Sequence, residues 1–103
     1  MLISFVLHQE DSMAILLVTY DLKNPGRNYE PLHSLLKQYN YCKGMESVWL
    51  LDTTHTPSQV RERIAQVVDG NDIVFVTKLA SQAWASRNFN CADWLNAANR
   101  NWA

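Results

Sequence analysis

Asp21 closes an apolar run, and Lys23 and Arg27 follow in the next loop. An acid at the end of a buried strand is placed to cap the following turn through its own carboxylate. Arg27, with the free N–H groups opening the next helix, can hold an anion. Glu30 in that helix's first turn competes with the anion. Arg61 and Arg63 open a second helical stretch with Glu62 between them. Arg87 and Arg100 lie among Trp84, Trp94 and Trp102, a composition that can stack bases. It also fits ordinary surface beside a core.

Other reactive types lack partners at useful spacing. Ser47 lies in an extended segment with no His and acid spaced to activate it. Its expected role is packing or hydrogen bonding. His33 sits next to Leu32 on a helix, as a surface or boundary residue. His55 precedes a helix cap, where exposure is expected. There is no Cys-x-x-Cys and no His-x-x-x-His, so metal-ligand spacing is absent. Cys42 and Cys91 cannot make a disulfide framework, and Cys91 reads as a small buried hydrophobe. With three glycines, the chain has no dinucleotide or P-loop fingerprint.

The elements that must position these residues follow from patterning. Residues 14–20, Ala-Ile-Leu-Leu-Val-Thr-Tyr, read as a central strand buried on both faces. The Pro25-Gly26 pair marks a loop, and Asn28 is the expected N-cap. Tyr29, Leu32, Leu36 and Tyr39 then define one face of a helix over about 29–39, with Pro31 in its first turn. Residues 41–54 are long for one strand. They either bend at Gly44 or fold back as a hairpin around Glu46-Ser47. Thr56-Pro57-Ser58-Gln59 predicts a capped helix start, with Val60, Ile64, Val67 and Val68 on the buried face. Gly70-Asn71-Asp72 ends it, and a strand runs from Ile73 to Leu79. Asn90 is the expected cap of a last helix carrying Cys91, Trp94, Leu95, Ala98 and Trp102 on one face.

The resulting order is strand, helix, strand or hairpin, helix, strand, then a short helix. With a hairpin it is the ferredoxin-like βαββαβ sandwich, an α+β fold with a C-terminal helical tail. With one strand it is a small parallel sheet. A single helix layer leaves the sheet's other face to meet solvent, the tail or a second copy, which makes a homodimer the expectation.

Composition narrows the class. The chain has 103 residues, enough for one domain. It is 48% hydrophobic, which excludes a disordered chain, and its net charge of −1 excludes bulk-charge binding to nucleic acid. No apolar run approaches the roughly 18 residues that span a membrane. Met1 to Leu7 is apolar but has no preceding Lys or Arg and no small-residue cleavage site, so the expected compartment is the cytoplasm. Residues 1–12 read as an N-terminal extension, with translation starting at Met13, or as an extra edge strand over Leu2 to Leu7. The domain proper is 13–103.

Tyr20-Asp21-Leu22, Arg27 in the following loop, a helix, and Ser47-Val48-Trp49 together resemble the CRISPR-associated Cas-two family, the small non-integrase subunit of spacer acquisition. The chain looks closer still to the Cas-two-like proteins labelled SinR-like, on Lys78-Leu79 and Trp84-Ala85. It is more distantly similar to the virulence-associated protein D family. The resemblance covers roughly residues 13–80. It implies a ferredoxin-like homodimer. Asp21 then matches the acid that lies near the two-fold axis and, in nuclease members, binds Mg²⁺ with its symmetry mate as the catalytic metal ligand. Two carboxylates across an axis suit Mg²⁺, which keeps several waters. Such a metal activates water and stabilises charge at a phosphodiester. Lys23, Arg27, Arg61 and Arg63 are the candidate contacts to RNA or DNA. Many Cas-two sequences carry more basic residues in the loop after the Asp than Lys23 and Arg27 here.

The resemblance supports three expectations. The first is a dimeric protein with a nucleic-acid-associated or assembly role, binding a protein partner as Cas-two does. The second is a metal-dependent endonuclease acting on RNA or DNA. The third is a toxin–antitoxin or phage-defence component, which rests on fold analogy alone.

Overall fold

The computed structural model describes residues 13–81 and 83–102. The extension and edge-strand expectations for residues 1–12 lie outside the described residues. The elements are β1 (Ala14–Asp21), α1 (Glu30–Leu36), β2 (Asn40–Met45), β3 (Val48–Thr53), α2 (Pro57–Ala65), β4 (Ile73–Lys78) and α3 (Ala92–Asn96). Four strands form one open sheet in the order β2-β3-β1-β4, with every neighbouring pair antiparallel. This is an α+β fold. The parallel-sheet alternative is overturned, because residues 41–54 do fold back at Glu46-Ser47. Gly44 is used too: the β2–β3 register shifts between Lys43 and Met45.

β1 is central, as its unbroken apolar run requires. Ala14, Leu16, Val18 and Tyr20 face the helix layer. There they meet Leu32 and Leu36 of α1, Val60 and Ile64 of α2, and Trp49 and Leu51 of β3. Ile15 and Leu17 point to the opposite face. Burial of both faces explains why the run does not alternate.

Both helices are shorter than their apolar spacing suggests. α1 starts with the Asn28 side chain accepting from the Glu30 N–H at 2.9 Å, while Tyr29 takes the N-cap position. It stops at Leu36, after which Gln38 and Tyr39 donate three residues back, to Leu35 and Leu36. Such tight turns end a helix without losing its carbonyl partners. α2 has both bonds of the capping box between Thr56 and Gln59. It ends at Ala65, where Gln66 and Val67 again donate three residues back. Val67 and Val68 still pack on the core.

The sheet's second face is covered in part by the C-terminal segment. Cys91 and Leu95 pack against Ile15 and Leu50, with Trp84, Phe89, Trp94 and Trp102 around them. α3 has only five residues, so Trp102 joins this cluster from a loop and not from a helix. Cys91 is not a free hydrophobe. It forms a disulfide with Cys42 of β2, their Cα atoms 6.0 Å apart. A spacing of 49 residues hides a pairing that only the tail's return over β2 creates.

Candidate functional site

The C-terminal end of β1 and the β2–β3 turn frame a cleft of about 320 Å³. Asp21, Tyr29, His33, Glu46 and Ser47 line it. Three of the sequence candidates, Asp21, His33 and Ser47, thus meet around one cavity from three different elements. Tyr20 forms its floor. The Tyr20 hydroxyl accepts from the buried Trp49 indole N–H at 2.9 Å and donates to the Glu46 carbonyl at 3.3 Å. Burial pushes the Tyr20 phenol above its usual value, the Trp49 bond pulls it back, and the Glu46 charge adds to the rise. The phenol is a structural strut in its protonated form.

Asp21 does not cap the turn. Its exposed carboxylate accepts from Lys23 Nζ at 2.7 Å. His33 lies over Trp49, ring centroids 6.2 Å apart and nearly parallel. Its Nδ1 is 4.0 Å from a Glu30 carboxylate oxygen.

Capping of the β1–α1 loop falls to Asp72, which patterning marks only as a helix stop. Its carboxylate accepts from the Lys23 backbone N–H at 2.7 Å and the Asp69 N–H at 2.8 Å. It also accepts from the Tyr29 hydroxyl at 2.9 Å and 3.0 Å. Desolvation pushes this carboxyl up. The two backbone donors, the Tyr29 hydroxyl and the Arg27 charge together outweigh it, leaving the group below its ordinary range. The sequence signal for it is Gly70-Asn71-Asp72, a turn whose acid can bond neighbouring backbone.

The four basic candidates do not form one phosphate-gripping surface. Lys23 is bound to Asp21. Arg27 pairs with Asp69, donates to the Val67 carbonyl at 3.2 Å, and lies over the Tyr29 ring. Arg61 pairs with Glu62 at 2.9 Å. Arg63 donates to the Tyr39 hydroxyl at 2.8 Å and to Gln38 at 3.2 Å. That Tyr39 hydroxyl also bonds His55 Nδ1 at 2.9 Å, so His55 is half-buried rather than exposed. Arg100, read as able to stack bases or as surface beside the core, covers the Trp94 ring within the chain at 4.1 Å and is buried.

The donors of a single chain do not fit Mg²⁺. Among the described residues no three His, Cys, Asp or Glu side chains converge. Asp21 offers one carboxylate, and an ammonium occupies it. Hard divalent cations need oxygen ligands without a competing cation on them. Within one chain Asp21 therefore brings a single carboxylate to such an ion.

Beside Asp21 the second sheet face is open. Met45, Val48, Thr19 and Phe75 stand in one register row across all four strands. Phe75 is 60% exposed and Met45 59%. Ile73, the register partner of Asp21, is 55% exposed. None of the described helices is long and apolar enough to cross a membrane. No family model and no solved structure matches the chain.

Proposed function

We propose that the chain is a Cas-two-like protein of ferredoxin-like βαββαβ topology that acts as a homodimer in an assembly role on nucleic acid. The β2-β3-β1-β4 order, with α1 and α2 on one face, supports that topology. The observation that carries the dimer is the row Met45–Val48–Thr19–Phe75, whose two ends, Met45 and Phe75, are exposed apolar side chains. Large apolar side chains grouped on one surface favour burial against a partner. A two-fold contact is self-complementary, so the same row serves on both copies. Asp21 and Lys23 at its margin match each other's charge, so two copies meet there without net repulsion.

An assembly role fits the basic residues better than catalysis does. Lys23, Arg27, Arg61 and Arg63 are committed to partners in their own chain. Loose phosphate contacts on a dimeric scaffold, with a protein partner, need less from them than a cleavage site does.

Light scattering at micromolar concentration tests the dimer. Wild type is expected at twice the chain mass and Phe75→Glu at the chain mass. The substitution lies on an exposed site, so its circular dichroism should match wild type. A monomeric wild type overturns the proposal. In parallel, labelled RNA and duplex DNA are incubated with Mg²⁺ or Mn²⁺ and either wild type or Asp21→Asn. No cleavage by either protein is expected. Metal-dependent cleavage lost only in Asp21→Asn replaces the assembly role with the endonuclease.

A further inference from the structure

The C-terminal segment holds the sheet's second face with little backbone pairing. The described residues of 83–102 add no strand to the sheet, and α3 is a single short helix. What fixes them is side-chain contact, including the packing of Trp84, Trp94 and Trp102 and the buried Arg100–Asp52 pair. Leu95 is buried against Ile15 and Leu50. Phe89 fills the space above Gly44, where even a Cβ would collide with its ring. Near the far end Asn101 binds the buried Asp52 carboxylate through its backbone N–H and side-chain amide, at 3.2 Å and 3.1 Å. Between these points the Cys42–Cys91 disulfide is the one covalent tie. Beneath the strap lies a cleft of about 430 Å³, walled by Leu17, Val48, Trp84 and Phe89.

We propose that the Cys42–Cys91 disulfide is a redox clasp. Oxidised, it locks the 83–102 strap over the second sheet face. Reduced, the strap opens and exposes the apolar surface around Ile15, Leu17 and Leu50. The inference rests on the strap and the disulfide, and holds whether or not the protein dimerises.

The chemistry needs an external thiol, the reductant class that cells maintain. Cys91 is fully buried and Cys42 only partly so. The external thiolate therefore attacks Cys42 Sγ. The S–S bond breaks, Cys91 leaves as a thiolate and takes a proton, and a mixed disulfide remains on Cys42. A second external thiol displaces Cys42 and releases one molecule of external disulfide. Two protein thiols form for two external thiols oxidised. The intact bond belongs to oxidising surroundings and the open strap to reducing ones.

Native-state hydrogen exchange on the whole chain tests this, with and without dithiothreitol. The probes are the Leu95 amide, which donates to the Cys91 carbonyl at 2.9 Å, and the Asn101 amide on Asp52. Reduction is expected to speed both by at least about tenfold, while β1 and β3 ladder amides keep their rates. Cys42→Ser/Cys91→Ser should match the reduced protein in either buffer. Equal rates for Leu95 and Asn101 in the two redox states overturn the clasp. So does an equal acceleration of the sheet amides, which means global loosening. Free thiols in the protein under air, or a double variant that exchanges like oxidised wild type, overturn it as well.

Discussion

Arg100 Nη1 lies 3.5 Å from Asp52 Oδ2, and both side chains are sealed from water. The pair is unevenly satisfied. Asp52 also accepts from the Asn101 backbone N–H and from its side-chain amide. Arg100 has no hydrogen-bond partner for Nε or Nη1 among the described residues, so the approach to Asp52 is Coulombic attraction. The Trp94 ring covers the guanidinium and excludes water. A buried pair repays its desolvation only when the remaining donors are bonded. This pair does not repay its desolvation in full; what Arg100 does is neutralise the buried Asp52 charge.

Arg100→Met should therefore cost about 2–3 kcal/mol, below the roughly 3–5 kcal/mol of breaking a fully bonded buried pair. The loss comes from stranding the Asp52 charge. Asp52→Asn/Arg100→Met should return to within about 1 kcal/mol of wild type, since Asn keeps an acceptor for Asn101 and no charge remains. Urea unfolding of the double-mutant cycle measures both. A double variant no more stable than Arg100→Met would show that Arg100 acts through packing on Trp94 instead.

Gly44 and Phe89 form a second, purely steric, pairing of β2 with the strap. A Cβ at residue 44 would enter the Phe89 ring. Gly44→Ala should cost about 1–3 kcal/mol, the usual penalty of overpacking. Phe89→Leu in the same chain should recover part of that cost, because the flat ring is what the methyl meets. Denaturant midpoints of the two single variants and the double variant decide it. Additive losses would sink the steric account.

How far the fold was legible follows from which interactions are local. The apolar run at 14–20 placed β1 centrally, and the Thr56–Gln59 box marked the start of α2, because both signals lie within a few residues. Apolar spacing overshot both helix ends. Val67 and Tyr39 stay in helical phase while the backbone tightens into three-residue turns, and phase alone cannot see that. Asp21, His33 and Ser47 were visible as residue types, but their meeting in one cleft depends on the β2–β3 turn reaching the end of β1. The role of Asp72 and the Cys42–Cys91 bond were hidden for the same reason. Their partners lie 49 residues away or nearly so, at Lys23, Tyr29 and across the strap.

Asp72 also sets an acid limb of stability. Its carboxyl, at 3.8 when unperturbed, is lowered in the folded chain although desolvation works against it. The backbone N–H groups of Lys23 and Asp69 and the Tyr29 hydroxyl hold the charged form. A depressed folded value means the unfolded chain binds the proton more readily as pH falls. The contribution is complete above 3.8 and is lost as pH drops through the folded value. Melting temperatures should thus fall as the pH drops below about 4, beyond what the other carboxylates cause. Asp72→Asn isolates the effect. Its amide cannot accept from every donor that the carboxylate serves, so the variant should melt lower than wild type at neutral pH. The gap should close as the pH falls, because protonated Asp72 loses the same advantage. A gap that stays constant across the acid range would mean that the loop is held by shape and not by the Asp72 charge.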